Sequence, residues 1–422
     1  MSFGPAASAA PELDALLEGD AFYHDPYPAF ERLRAERPVH WHAPSRSWLV
    51  ASWQEVETVL RAPRAFSSYG FQNAYFERLR PELRAAATTL ELRGRAPTLI
   101  TSDPPEHTRL RRLLQPGFSP KAIDGLRSRV GTIVDELLSG FDQEREADLV
   151  TTLAYPLPAM MIADILGVPR EDRDIFKRVA SDVVRFMNRA NPNEELTLEF
   201  ARYADDSLAT FRTYLRKLLD DRRRQPRDDM ISILVHSEFE GETLDDEELL
   251  ANLVLFLIAG HETTTGLIAS AVHLLLSLPE QRAVVVHDPE RLIEFLREAL
   301  RFESPVQRIR RVVREDVELG GVAIPAGEPV EVLLGSANRD PAHYDRPDDF
   351  LLGRPASPSL AFGRGVHFCI GESLALLEAE VALSVLIDRY PRLALAPGWQ
   401  PEWAHLTNLR SLSTLHVVTA AG

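Results

Sequence analysis

Residues 362–371 read Phe362-Gly363-Arg364-Gly365-Val366-His367-Phe368-Cys369-Ile370-Gly371, and a helical pattern from Glu372 to Arg389 follows directly. Cys369 is the only cysteine among 422 residues, so no intramolecular disulfide can form and a reducing compartment is expected. A free cysteine taken alone is most often a small core hydrophobe. The setting here argues for chemistry. Glycines at 363, 365 and 371 let the backbone turn tightly and approach a flat object closely. A thiolate at a helix start is stabilised by the dipole and nearby N–H groups, which suits a metal ligand or a nucleophile. A hydrolase would pair Cys369 with His367 as base, but two residues apart on a glycine-rich loop is poor geometry for that pair.

Working outward, the most apolar stretch, Leu249 to Leu278, is interrupted by Gly260-His261-Glu262-Thr263-Thr264-Thr265. An ionisable residue at bilayer depth is costly and more often marks a site inside a protein, so a buried helix of a soluble chain is expected. Gly260 costs roughly 1 kcal/mol against alanine in a helix interior. Threonine hydroxyls can bond back to the previous turn and bend the helix. A break put to use, or a kinked core helix, are the two readings.

Apolar spacing of three and four residues predicts helices near 123–139, 195–224, 245–278, 290–302 and 371–389. Asp103 before Pro104-Pro105 is a helix start, and Asp245 to Glu248 place carboxylates at the positive end of the long helix. Asp220 to Asp229 reads as a solvated helix end. Val39–His42 and Ser47–Val50 form a hairpin, and Val317 to Leu334 is extended with turns at Gly320-Gly321 and Pro325-Ala326-Gly327. No repeat or linker divides the chain. The predicted class is mainly α with a minor β part, in one domain over residues 1–422.

A net charge of -16 argues against nucleic acid as a partner. The first twenty residues lack the basic and apolar regions of a secretory signal, and no membrane anchor is expected. The expected location is cytoplasmic.

The loop pattern F-G-x-G-x-H-x-C-x-G, the segment Ala259-Gly260-His261-Glu262-Thr263-Thr264, Glu298-x-x-Arg301, Pro347-x-x-Phe350-x-x-x-Arg354 and His107-x-x-x-Arg111 occur here with the order and spacing of one family. The chain resembles the cytochrome P-450 family of haem-thiolate monooxygenases, soluble bacterial type, over nearly its whole length. The resemblance implies the family fold, with haem b as cofactor and O₂ as co-substrate. Cys369 would be the iron ligand, its thiolate pushing electron density towards O–O cleavage. Phe362, Gly363 and Gly365 would shape the cofactor loop, and His107, Arg111, Arg311 and His367 would bind the two haem carboxylates. Thr263 would hydrogen-bond oxygen and a water, and Glu262 would relay protons; His261 has no assigned role. Glu298, Arg301 and Arg354 would lock the scaffold under Cys369. Leu255, Ile258, Ala259, Val306, Ile309 and Thr407, with Phe71, Tyr75 and Phe76, would line the pocket for a largely apolar small organic substrate. The orientation of Arg308 and Arg310 stays open.

The resemblance further implies electrons from NAD(P)H through a separate ferredoxin reductase and a small acidic ferredoxin. Arg109, Arg112 and Arg364 are candidates for its basic docking face on an otherwise acidic chain, unless they pair locally. A monomer is expected. The competing class is a non-catalytic haem-thiolate module that recruits a partner; Glu262 and Thr263 together favour catalysis.

Overall fold

The computed structural model describes residues 10–70, 75–141, 146–169, 172–187, 195–354 and 359–419. Phe71 lies outside them. In chain order the helices that position the site are α1 (Trp53–Arg61), α2 (Thr88–Arg95), α3 (Glu106–Leu114), α4 (Arg127–Leu138), α5 (Pro156–Ile165), α6 (Arg173–Met187), α7 (Leu198–Arg224), α8 (Asp246–Ser277), α9 (Leu292–Phe302) and α10 (Glu372–Arg389).

Helix α8 is the axis. A capping box starts it: Asp245 accepts the Glu248 N–H at 2.8 Å, and Glu248 accepts the Asp245 N–H at 3.0 Å. The helix is apolar on all sides and is correspondingly packed on all sides, by α5, α6, α7, α9 and α10. It is long and apolar enough to cross a membrane by length and composition, yet most of it is buried inside the protein. One contiguous helical core surrounds it, and a smaller core lies under the main sheet.

That sheet has five strands, β1 (Val39–His42), β2 (Ser47–Val50), β3 (Phe66–Ser67), β4 (Arg308–Val313) and β5 (Pro329–Leu333), in the order β1-β2-β5-β4-β3. The predicted hairpin is β1 with β2, Val39 opposite Val50, and β5 runs parallel to β2. Strand β4 was not expected, because Arg308-Ile309-Arg310-Arg311 conceals its alternation. Arg308 and Arg310 both reach the fully buried Glu331 of β5, at 3.3 and 2.6 Å. Burial alone would raise that carboxyl; the two guanidinium groups and the Ser47 hydroxyl outweigh it and hold Glu331 at about 2. Arg310 is thereby committed to the sheet, whereas Arg308 also lines a cleft with Phe22 and Thr407. Val317–Leu319 and Val322–Ile324 pair through the Gly320-Gly321 turn, and a three-stranded sheet joins Glu146–Asp148, His416–Thr419 and Leu393–Leu395.

Three expectations need correction. Helix α8 runs without interruption through Gly260 to Thr265. The glycine gives close packing: a Cβ there would stand 2.8 Å from Ile162 Cδ1 of α5, so that side chain would have to turn aside. Asp103 does not cap α3, whose cap makes no side-chain bond; its carboxylate holds the Ser67 hydroxyl and the Ser68 N–H of the β3 loop instead. The segment Asp220 to Asp229 is not simply solvated. Arg222 is 1% exposed and donates to Asp229, Asp221 and the Gly167 carbonyl.

Candidate active site

The cysteine loop crosses from α1 to α10. Its chain turns through Gly363 and Gly365, both at positive φ, which only glycine adopts without strain. At Gly365 a Cβ would also meet the Leu60 carbonyl oxygen at 2.6 Å, so the close approach at this glycine is to the backbone of α1. The Cys369 N–H donates to the Phe362 carbonyl at 3.0 Å, closing the loop on itself. Cys369 lies deep but is not sealed. Burial pushes its thiol up, and the N–H groups of Gly371 and Glu372 only partly offset this. The helix start alone therefore does not yield the thiolate; a bound cation would. His367 does not serve Cys369 as base: its Nε2 is 3.0 Å from Ser68 Oγ.

Across from the loop, α8 changes character in its middle. Between stretches of buried residues, Ala259 is exposed and Ile258, Gly260, Glu262 and Thr263 are half-buried. That stretch of the helix is open rather than packed against protein. The Thr263 hydroxyl donates to the Ala259 carbonyl at 2.5 Å, which leaves its oxygen able to accept a bond. Glu262 is pushed up to about 7 by burial. His261 Nε2 lies 2.9 Å from the Tyr155 carbonyl, an acceptor only, so that nitrogen carries the proton; Nδ1 is 4.0 Å from Glu262 Oε1.

Beside the cysteine loop the structure gathers cationic donors. The His107 and His367 rings stand edge to face, 4.3 Å apart. His107 is buried and its Nε2 has no hydrogen-bond partner. Arg311 is 4% exposed, and its one hydrogen bond among the described residues goes to the Arg310 carbonyl. Burial, then the neighbouring arginines, lower His107 to about 4; burial, Arg311 and His107 lower His367 to about 3; burial lowers Arg311 to about 10. Asp103 acts on His107 and Arg311 electrostatically, but no carboxylate is ion-paired with any of the three among the described residues, which fits a ligand that brings its own carboxylates. Arg111 stands apart: its Nη1 donates to the carbonyls of Phe368, at 2.7 Å, and Val366, so it grips the cysteine loop. The Ser68 partner carried no sequence signal. Asn252 did, as a lone amide in the apolar helix, and it was missed: it accepts the Leu99 N–H at 2.9 Å and ties the 97–99 segment to α8.

Glu298, Arg301 and Arg354 meet as one cluster. Arg301 Nη2 and Arg354 Nε both lie 2.8 Å from Glu298 Oε1, and Arg301 also donates to the carbonyls of Asn338, Pro347 and Asp349. In the expected pocket wall, Leu255 is buried, and Ile258 and Ala259 lie in the open stretch of α8. Val306 bridges to Leu409, while Ile309 packs against the sheet core. Thr407 lines a cleft with Phe22, Tyr23 and Arg308, against the N-terminal segment. Tyr75 and Phe76 pack on Phe186 of α6. The expected basic face is largely neutralised. Arg109 is paired with Glu106, Glu242 and Glu248, and Arg364 stands 3.9 Å from Glu57. Arg112 stands 3.8 Å from Glu240 and over the Phe239 ring, and is the most exposed of the three.

The model of the family described as cytochrome P450 matches residues 58–404. The chain is 38% identical over 403 residues to the cytochrome P450 monooxygenase PikC of Streptomyces venezuelae, covering 93% of this chain and 91% of that one. It is 36% identical over 406 residues to the vitamin D(3) 25-hydroxylase of Pseudonocardia autotrophica, covering 95% of each. The crystal structure of CYP109E1 from Bacillus megaterium in complex with corticosterone is similar at a TM-score of 0.84 and 34% identity, over 95% of this chain and 100% of that one. With relatives of this identity along almost its entire length, the chain belongs to the cytochrome P450 family, haem-dependent monooxygenases that use O₂.

Proposed function

We propose that this enzyme inserts one atom of O₂ into a largely apolar small organic substrate, with haem b held by Cys369. The observation that carries the reading is the gathering of His107, Arg311 and the half-buried His367 beside the Cys369 loop, none of them ion-paired with a carboxylate among the described residues. His107, His367 and Arg311 would hold the haem carboxylates, and Arg111 would fix the loop that presents the sulfur. Bound haem supplies the activation of O₂, which needs electrons and two protons. Thr263 Oγ1 would accept a hydrogen bond from a water or oxygen species beside the open stretch of α8, and Glu262, close to half protonated at neutral pH, would pass protons towards it. Leu255, Ile258 and Ala259 present an apolar wall to the substrate.

Reduced protein with carbon monoxide should show the absorption band specific to a thiolate ligand. Cys369→His should keep haem and lose that band; a band that survives in the variant refutes the assignment.

Electrons would come from NAD(P)H through a separate reductase and an acidic ferredoxin, with Arg112, paired only with the exposed Glu240 among the described residues, as the most exposed of the basic arms. Reduction by such a ferredoxin should slow steeply with salt, since a Debye length of about 8 Å at physiological ionic strength screens steering. Arg112→Glu should respond less; superimposable salt curves remove the docking role.

A further inference from the structure

Helix α2 carries a second buried guanidinium that nothing in the proposed chemistry uses. Arg93 is 6% exposed, its Nε is sealed from solvent, and no hydrogen bond or ion pair reaches it among the described residues. The surrounding acids are committed elsewhere. Glu91, on the same helix, is taken by Arg84 and Arg95 at the surface. Asp205 of α7 spends its carboxylate on the Leu90 N–H, at 2.9 Å, and the Thr88 hydroxyl, at the start of α2. Burial alone lowers Arg93, to about 10, with no charged group contributing, whereas Arg311 acts on both His107 and His367. Arg93 is therefore not one more member of the edge cluster.

Helix α2 packs on α7, and the chain just after it is pinned by Asn252 to α8, three residues before Leu255 in the apolar wall. Leu90, one turn earlier, is buried, so Arg93 breaks an otherwise apolar face with a charge. An unpaired buried charge is strongly unfavourable unless something arrives to pair it.

We propose that Arg93 recognises a single carboxylate on the substrate, whose apolar body lies along Leu255, Ile258 and Ala259. The proposal rests on the monooxygenase reading and narrows its substrate class to apolar acids. A planar guanidinium suits a carboxylate, binding both oxygens in parallel.

The test uses the haem-loaded full chain at pH 7.5 with two matched probe pairs, dodecanoate against 1-dodecanol and 4-phenylbutyrate against 4-phenyl-1-butanol. Affinities are read from the substrate-induced spin-state shift, and 4-phenylimidazole serves as a control for access to the iron. The parent should bind the acid of at least one pair about tenfold more tightly than the alcohol, the size of one charge-assisted bond. Arg93→Met should abolish that preference without moving the alcohol or 4-phenylimidazole titrations, and Arg93→Lys should restore part of it. Without ligand, Arg93→Met should melt higher than the parent, because methionine fills similar volume without a charge to desolvate. A structural arginine would give the reverse. Equal affinities for acid and alcohol in both pairs, or a lower melting temperature with weaker binding of acid and alcohol alike, would overturn the proposal. Failure of 4-phenylimidazole to shift the parent spectrum would instead strike the haem-thiolate reading, and stabilisation of the parent but not of Arg93→Met by dodecanoate in the melting experiment still decides the carboxylate site.

Discussion

Arg301 and Arg311 are buried to nearly the same depth, 3% and 4% exposed, and the protein treats them in opposite ways. Around Arg301 every direction of the guanidinium is met: Glu298 takes two bonds, and the carbonyls of Asn338, Pro347 and Asp349 take the rest. Among the described residues Arg311 donates to one backbone carbonyl and is ion-paired with no carboxylate, Asp103 acting on it only from a distance. Removing a cation from water is expensive in both places. In the first region the chain offsets that cost itself, and the result is a scaffold. In the second it does not, and the deficit marks where an anion from outside the chain belongs.

The largest effect is expected from turning the first region into the second. Glu298→Ala leaves Arg301 and Arg354 together without their acid, which should cost about 3–5 kcal/mol in urea unfolding and yield haem-poor protein. Normal stability and haem content with lost turnover would show that the cluster serves chemistry instead. The opposite sign is expected at Arg311. Arg311→Met should make haem-free protein more stable by about 1–4 kcal/mol, since an unpaired buried charge is gone. It should also release haem faster to an acceptor protein. A haem-free variant less stable than its parent would break the comparison.

The smallest effect concerns the buried acid. The fold raises Glu262 to about 7, so it favours the protonated form. Its stabilising contribution is full below about pH 4.5 and is lost as pH rises through about 7. Glutamine stays neutral, so Glu262→Gln should gain on the parent across that window. The gain is at most about 3 kcal/mol, and roughly half that if cavity water solvates the carboxylate. Urea unfolding at pH 5 and pH 8 measures it; a difference that does not change with pH means that Glu262 is not held protonated.

Periodicity and local motifs carried the long elements: α7 to α10 and the first hairpin lie where spacing placed them. What escaped depended on partners far away in sequence. Strand β4 is mostly arginine at its start, and only the buried Glu331 makes that tolerable. Gly260 looked like a break because its reason, Ile162, sits on another helix. At the site, His107 meets His367 and Glu298 meets Arg301 and Arg354, but the hydrogen bonds were not legible. Arg111 grips the carbonyls of Phe368 and Val366, and Arg109 is neutralised by Glu242 and Glu248, more than a hundred residues on. Charge along a chain does not say which charges meet.

The contact between Gly365 and the Leu60 carbonyl bears on how this enzyme can change over generations. With positive φ and 2.6 Å of clearance for a Cβ, position 365 tolerates no added atom without displacing α1 or the cysteine loop. The wall of α8 at Ile258 and Ala259 is open and can gain or lose atoms freely. Libraries that seek new substrates should therefore return variants at 258 and 259 and none at 365. The substrate range of the lineage can drift while the loop that carries Cys369 stays fixed.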